Sequence, residues 1–237
     1  MSEWKAKRFW KETAVMEAEG GYSIALDGRP VRTPSKAMLT MPTRAMAEAA
    51  AREWDAQTDV IDPRTMPVTR AVNTAIDRVV PEFEAVAEII SEYGATDLLC
   101  YRADAPDELV QRQSDQWDPL LDWADEALGA RLKPVEGVMH VEQDRAALER
   151  LAEQVRALDA YRLTAFHDLV SLSGSLILGF AVTEKARSPD EAWQISRIDE
   201  NWQLEQWGDD EEAAAMAEAK RLTFLDAARF FQLSETD

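Results

Sequence analysis

His167 and Asp168, followed by Ser171, Ser173 and Ser175, supply a base, an orienting acid and candidate nucleophiles, the residue set of an acyl-transfer hydrolase. Their context argues against that chemistry. No GxSxG elbow is present, and no strand is expected ahead of the serines to hold one in a strained turn. Ser171, Ser173, Gly174 and Ser175 are better read as small residues that let two helices approach closely. His140 is the one other histidine and Cys100 the one cysteine, without HExxH or CxxC spacing, so neither a metal site nor a redox pair is expected. Gly20 and Gly21 precede a strand instead of following one, and neither GxGxxG nor GxxxxGKS/T occurs; no cofactor is expected. Carboxylate pairs of the glycosidase kind arise by chance among 45 acids. A small enzyme built on carboxylates and His167 stands as one alternative reading, and a generic acidic scaffold as another.

The more informative pattern is aromatic. The chain has eight tryptophans, and Trp117, Trp123, Trp193, Trp202 and Trp207 all fall in expected helices. Most should pack a core, while one or two are available for an interface, where tryptophan is enriched. At about 100° per residue, a helix from Ala192 to Trp207 separates Ile195, Ile198 and Trp202 from a second stripe of Trp193, Leu204 and Trp207. Glu200 lies inside the second stripe, with Gln203 beside it. Such a helix is either sandwiched in a core or packed on one side and offered to a partner on the other. A carboxylate among these neighbours needs a counterpart: Arg197 one turn back, a distant arginine, or a basic or N–H group of another protein. Gly208 should stop this helix, and Asp209 to Glu212 should begin the next with charge matched to its dipole.

The elements that position these residues follow from periodicity and punctuation. Tyr22 to Leu26 alternates, Asp27-Gly28 signals a hairpin, and Arg29 to Thr33 follows with prolines suited to an edge; Met38 to Met41 adds a short strand. Pro42-Thr43 opens a helix through Gln57, with Ala47, Ala50, Ala51 and Trp54 as a small-residue face. Beyond Pro67 the pattern is helical: 68–79, 81–94, 106–128, 143–158, 160–183 with a break at Gly174, 189–207 and 210–231. Pro81, Pro106 and Pro189 fit first turns, where a missing N–H costs little. The fold class is α+β, with a small N-terminal antiparallel β-rich domain over residues 1–75 and a larger all-helical domain over 76–237.

Bulk properties narrow the function. The net charge of -19 and a pI near 4.5 disfavour nucleic acid and anionic membranes as partners. Residues 1–100 carry net -4 and the remainder net -15, so the acid is concentrated in the helical part. It serves solubility, or it meets a basic or aggregation-prone protein surface. A single cysteine implies a reducing compartment. The opening MSEWKAKRFWKETAV lacks the apolar stretch of a signal peptide, and the apolar run Leu176 to Val182 is far short of a membrane span, so a cytoplasmic protein is expected.

Six blocks together resemble the ATP synthase assembly chaperone family often called ATP-twelve. They are LDGRPVRTP (Leu26 to Pro34), EWDAQ (Glu53 to Gln57), MPVTR with AIDR (Met66 to Arg70, Ala75 to Arg78), TDLLCYR (Thr96 to Arg102), QWDP (Gln116 to Pro119) and QLEQWG (Gln203 to Gly208). They occur in the family's order from Phe9 to about Ala213. Trp10, where a tyrosine is usual, is a small departure. The resemblance implies a non-enzymatic chaperone that binds the free alpha subunit of the synthase's catalytic head, with no cofactor and no small-molecule substrate. It shields apolar surface until the beta subunit takes its place. The family's partner-binding positions fall on Glu200, Gln203, Trp207 and Gly208, and the family fold agrees with the α+β reading. The resemblance points to a bacterial member, relatives in eukaryotes acting in the mitochondrial matrix.

Overall fold

The structure, a computed structural model, describes residues 7–137, 139–208 and 211–235. The chain divides into two compact units that are discontinuous in sequence. The first comprises Met1–Phe83, Ala160–Ala165 and Arg229–Asp237; the second comprises Glu84–Asp159 and Phe166–Ala228. Residue 75, the expected boundary, lies inside a continuous helical run of the first unit.

In the first unit β1 (Thr13–Ala18), β2 (Gly21–Leu26) and β3 (Arg29–Pro30) form an antiparallel sheet in that order. Asp27 and Gly28, at φ 48° and 77°, place Leu26 opposite Arg29. Asp-Gly favours this two-residue turn because its left-handed positions match the strand twist. A Cβ on Gly21 would lie 2.2 Å from the Met41 carbonyl oxygen, so glycine is what lets the chain pair there. The expected strand over Met38 to Met41 is reduced to isolated bridges, Tyr22 with Met41 and Arg32 with Met38. Ser23, Ile24, Ala25 and Leu26 are all buried, so β2 is covered on both faces and its alternation does not mark one exposed side.

Helix α1 (Arg44–Asp55) is capped by the Thr43 hydroxyl and buries Met46 together with Ala47, Ala49 and Ala50, whose small side chains let it lie close on β1 and β2. A 3-10 turn (Pro63–Thr65) leads to α2 (Pro67–Thr74), which continues as a π-helical turn over Ala75–Val79. The Glu53 carboxylate of α1 accepts the Val68 N–H at 2.7 Å, the Thr69 N–H at 2.8 Å and the Thr69 hydroxyl at 2.7 Å, capping α2 from outside.

The second unit runs through α3 (Phe83–Glu92), 3-10 turns at Tyr93–Thr96 and Leu98–Cys100, β4 (Tyr101–Arg102), α4 (Asp107–Leu128), β5 (Val135–Glu136), α5 (Arg145–Arg156), α6 (Ala160–Ser173), α7 (Leu176–Thr183), α8 (Pro189–Ser196), α9 (Ile198–Trp207) and α10 (Glu211–Ser234). Helices α3, α6 and α10 each have an end in the first unit. The β4–β5 pair is parallel and two residues long, too short for a periodic signal. Every residue of α7 is buried, which makes it the centre of this unit's core. Gly174, at φ 76°, breaks α6 from α7 where a break is expected.

The neighbouring serines do not act as spacers. The Ser175 hydroxyl caps α7 by accepting the Leu178 N–H and donates to Asp97 at 2.8 Å, while the Ser173 hydroxyl donates to the Leu169 carbonyl at 2.6 Å. Close helix approach depends instead on Gly179, where a Cβ would sit 2.8 Å from the Val170 side chain. Of the three prolines, Pro189 occupies a first turn, beside a Ser188–Glu191 capping box. Pro106 is the residue before α4, and Pro81 lies in a turn ahead of α3.

Candidate docking site

The single helix expected from Pro189 to Trp207 is two, broken at Arg197 with φ -109° and ψ 16°. Competing hydrogen bonds account for the break. The Ser196 hydroxyl donates to the Trp193 carbonyl at 2.7 Å, and the Arg197 guanidinium donates to the last carbonyls of α6, Leu172 at 3.3 Å and Ser173 at 3.4 Å. The same guanidinium lies 4.9 Å over the Trp193 ring, so one side chain fastens the joint. The break resets the helical phase. Trp193 is buried at 4% exposure on α8, while Trp207, expected on the same stripe, is 88% exposed on α9.

One face of α9 is tied to α4. Gln113 donates to the Asp199 carboxylate at 2.6 Å, Arg112 pairs with Glu205 at 2.7 Å, and the Arg112 guanidinium covers the Trp202 ring at 5.0 Å. That contact keeps the Glu205 carboxyl below its ordinary pKa. Another face carries Glu200, Gln203, Leu204 and Trp207, spaced one and two turns apart. Gly208 ends the helix at φ 87° and ψ 169°, a region essentially reserved for glycine, with its N–H on the Leu204 carbonyl at 2.9 Å. Asp209 and Asp210, expected to charge the next helix start, lie outside the described residues; Glu211 and Glu212 do occupy the first turn of α10.

Helix α10 supplies the facing wall. Its first ten residues, Glu211 to Lys220, are all exposed, and its hold on α8 comes further along the helix. Arg221 pairs with Asp190 at 2.8 Å, and the buried Phe224 ring packs 5.5 Å from Trp193. Between α9 and α10 runs an open groove of about 770 Å³. Glu200, Gln203, Trp207 and Gly208, the four residues singled out by the family resemblance, all line it. Apolar surface comes from Leu204 and Trp207 on one wall and Met216 on the other. Sequence reasoning missed the α10 wall. Its signal was present in Ala213 to Ala219, which offers a helix no large apolar stripe to bury.

Glu200 is ion-paired within its own helix region and is also open to solvent. Its Oε1 accepts from Arg197 Nη1 at 2.8 Å, and its side chain is nevertheless 54% exposed. An ion pair this open is worth little to stability, so the carboxylate remains available to a second cation.

The other candidate chemistries are not assembled. His167 Nδ1 lies 3.0 Å from Asp168 Oδ1 with both side chains half exposed, whereas Ser173 and Ser175 are buried and bonded elsewhere. Cys100 is buried, and burial pushes its thiol up to about 12. Among the described residues no group of three or more His, Cys, Asp or Glu side chains is placed to hold a metal ion, and no helix is long and apolar enough to cross a membrane.

Five of the six sequence blocks are absorbed by contacts inside the two units. Asp77 accepts from the Thr33 hydroxyl at 2.7 Å, and Glu53 caps α2 at Val68 and Thr69. Arg102 meets Asp118 at 2.7 Å, a charge contact with the angle of a poor hydrogen bond, and lies 5.3 Å over Trp117. The sixth block differs. Glu205 apart, Gln203, Gln206 and Trp207 point to solvent and form no side-chain hydrogen bond among the described residues.

Solved structures share this architecture of a sheet-bearing unit and a helical unit. Atp12 from Paracoccus denitrificans superimposes with a TM-score of 0.96 at 50% identity, over 98% of this chain and 100% of that one. The Atu1473 protein of Agrobacterium tumefaciens gives a TM-score of 0.92 at 46% identity, over 97% of this chain and 86% of that one. Mitochondrial protein atp12 of Schizosaccharomyces pombe is 27% identical over 221 residues, covering 87% of this chain and 75% of the relative. The family model described as ATP12 chaperone protein matches residues 7–125, and the chain belongs to that family.

Proposed function

We propose that the protein is a non-enzymatic assembly chaperone of the ATP synthase, which holds the unassembled alpha subunit of the catalytic head through the α9–α10 groove and so prevents its aggregation. The observation that carries this reading is the exposure of QLEQWG. Of the six blocks that mark the family, it alone is left largely unspent by internal packing, and it brings Gln203, Trp207 and Gly208 into line with Glu200 along one groove. A tryptophan 88% exposed beside the apolar Leu204 and Met216 fits an anchor for a partner.

Holding and release need differential affinity alone. The beta subunit displaces the chaperone when it covers the same alpha-subunit surface, and no nucleotide or cofactor takes part. In a bacterial cell the site of action is the cytoplasm.

The test is direct. Isolated alpha subunit, diluted from denaturant, should stay clear and co-elute with this protein in the absence of nucleotide, and Glu200→Lys should abolish co-elution while leaving helical circular dichroism unchanged. Turbidity unaffected by the wild-type protein would refute the reading.

A further inference from the structure

The nature of the groove's walls restricts what can lie in it. Both are helices, whose mid-helix backbone groups are already paired, so the groove offers no free strand edge. An extended segment laid there would exchange water for apolar side chains around its N–H and C=O groups, leaving them unpaired at a cost of about 1–3 kcal/mol each. A helix brings its backbone bonds with it.

Side chains and charges restrict it further. Ala213, Ala214 and Ala217 leave space on the α10 wall for incoming side chains, while Leu204, Trp207 and Met216 provide apolar contact. On the α9 wall, Glu200 Oε2 has no hydrogen-bond partner among the described residues, although Oε1 is on Arg197. On the α10 wall, Lys220 has no ion pair among the described residues, whereas Arg221 is spent on Asp190 and Glu218. A second copy of the chain is disfavoured as occupant, because each copy carries -19.

We infer that the groove receives an amphipathic helix of the alpha subunit, apolar along one face, with Lys or Arg on the flank toward Glu200 and Asp or Glu on the flank toward Lys220. This rests on the docking role proposed above and specifies what is docked.

Hydrogen exchange on the complex of full-length protein with isolated alpha subunit tests it, together with titrations of three variants. Ala214→Trp fills the groove from an exposed position, and Glu200→Lys and Lys220→Glu reverse one flank each. The expected result is protection of α9 and the first half of α10, matched on the alpha subunit by protection of one helix with the stated flank charges. Ala214→Trp should weaken association by at least about tenfold, with each charge reversal weakening it too. Ala213→Trp provides a second filled groove should the first variant lose helical signal, and the exchange map needs no variant. Protection of an alpha-subunit strand overturns the helix and leaves the groove as the docking site, whereas wild-type affinity in all the groove variants overturns both the helix and the groove and moves alpha-subunit binding to another surface. Failure of the wild-type protein to bind overturns both.

Discussion

Trp207 and Trp117 show what burial does to one residue type. Trp117 is fully buried in α4 and donates its indole N–H to the Ile195 carbonyl at 3.0 Å; Trp207 is almost wholly in water. Trp117→Ala should cost about 3–5 kcal/mol of folding stability, measured by urea unfolding. Trp207→Ala should change stability by less than about 0.5 kcal/mol, yet weaken alpha-subunit binding about tenfold in a titration. Equal loss of stability in both would show that Trp207 packs against its own chain. Sequence periodicity placed both tryptophans in helices and left open which of them faces water, because a two-sided stripe is compatible with a core and with an interface.

At the level of elements, two joints organise the second unit. One is the α9–α10 turn at Gly208. Gly208→Ala should cost roughly 1–3 kcal/mol through its disallowed backbone geometry, and the strain should appear as faster hydrogen exchange over 204–216. Unchanged exchange there would mean that the turn relaxes freely. The other joint is Asp97, fully buried, which accepts from the Leu99 N–H, the Ile177 N–H and the Ser175 hydroxyl, so fastening a 3-10 turn to the start of α7.

Burial outweighs those donors and pushes the Asp97 carboxyl from 3.8 up to about 6. Its folded value exceeds its unfolded one, so its stabilising share is complete below pH 3.8, falls as the unfolded chain ionises between pH 3.8 and 6, and is lost above pH 6. The Asp97→Asn variant, which cannot ionise, should therefore gain stability relative to wild type as pH rises from 4 to 6, by up to about 3 kcal/mol. A difference in urea midpoints that is flat across that range would refute the assignment.

For the whole molecule, charge governs encounter more than fold. With -19 on the chain and most of it beyond residue 100, association with a partner that brings bases to Glu200 should slow as salt rises. Stopped-flow rates at low and physiological ionic strength check this; rates independent of salt would place the driving force in apolar contact alone.

Local physics was legible along the chain. The Asp27-Gly28 hairpin, the Thr43-capped helix, the break at Gly174 and the mostly helical second part each follow from turn chemistry or from a period of about 3.6 residues, which neighbours in sequence determine. The six ordered blocks were enough to identify the chaperone family. Three things required the folded molecule. Arg197 breaks a helix by reaching carbonyls some 25 residues away, a competition invisible to periodicity. The ends of α6 and α10 belong to the first unit because contacts, and not chain order, define a compact body. The groove exists because none of the described residues covers the start of α10, and exposure is a property of neighbours in space, which a stripe in sequence leaves undetermined.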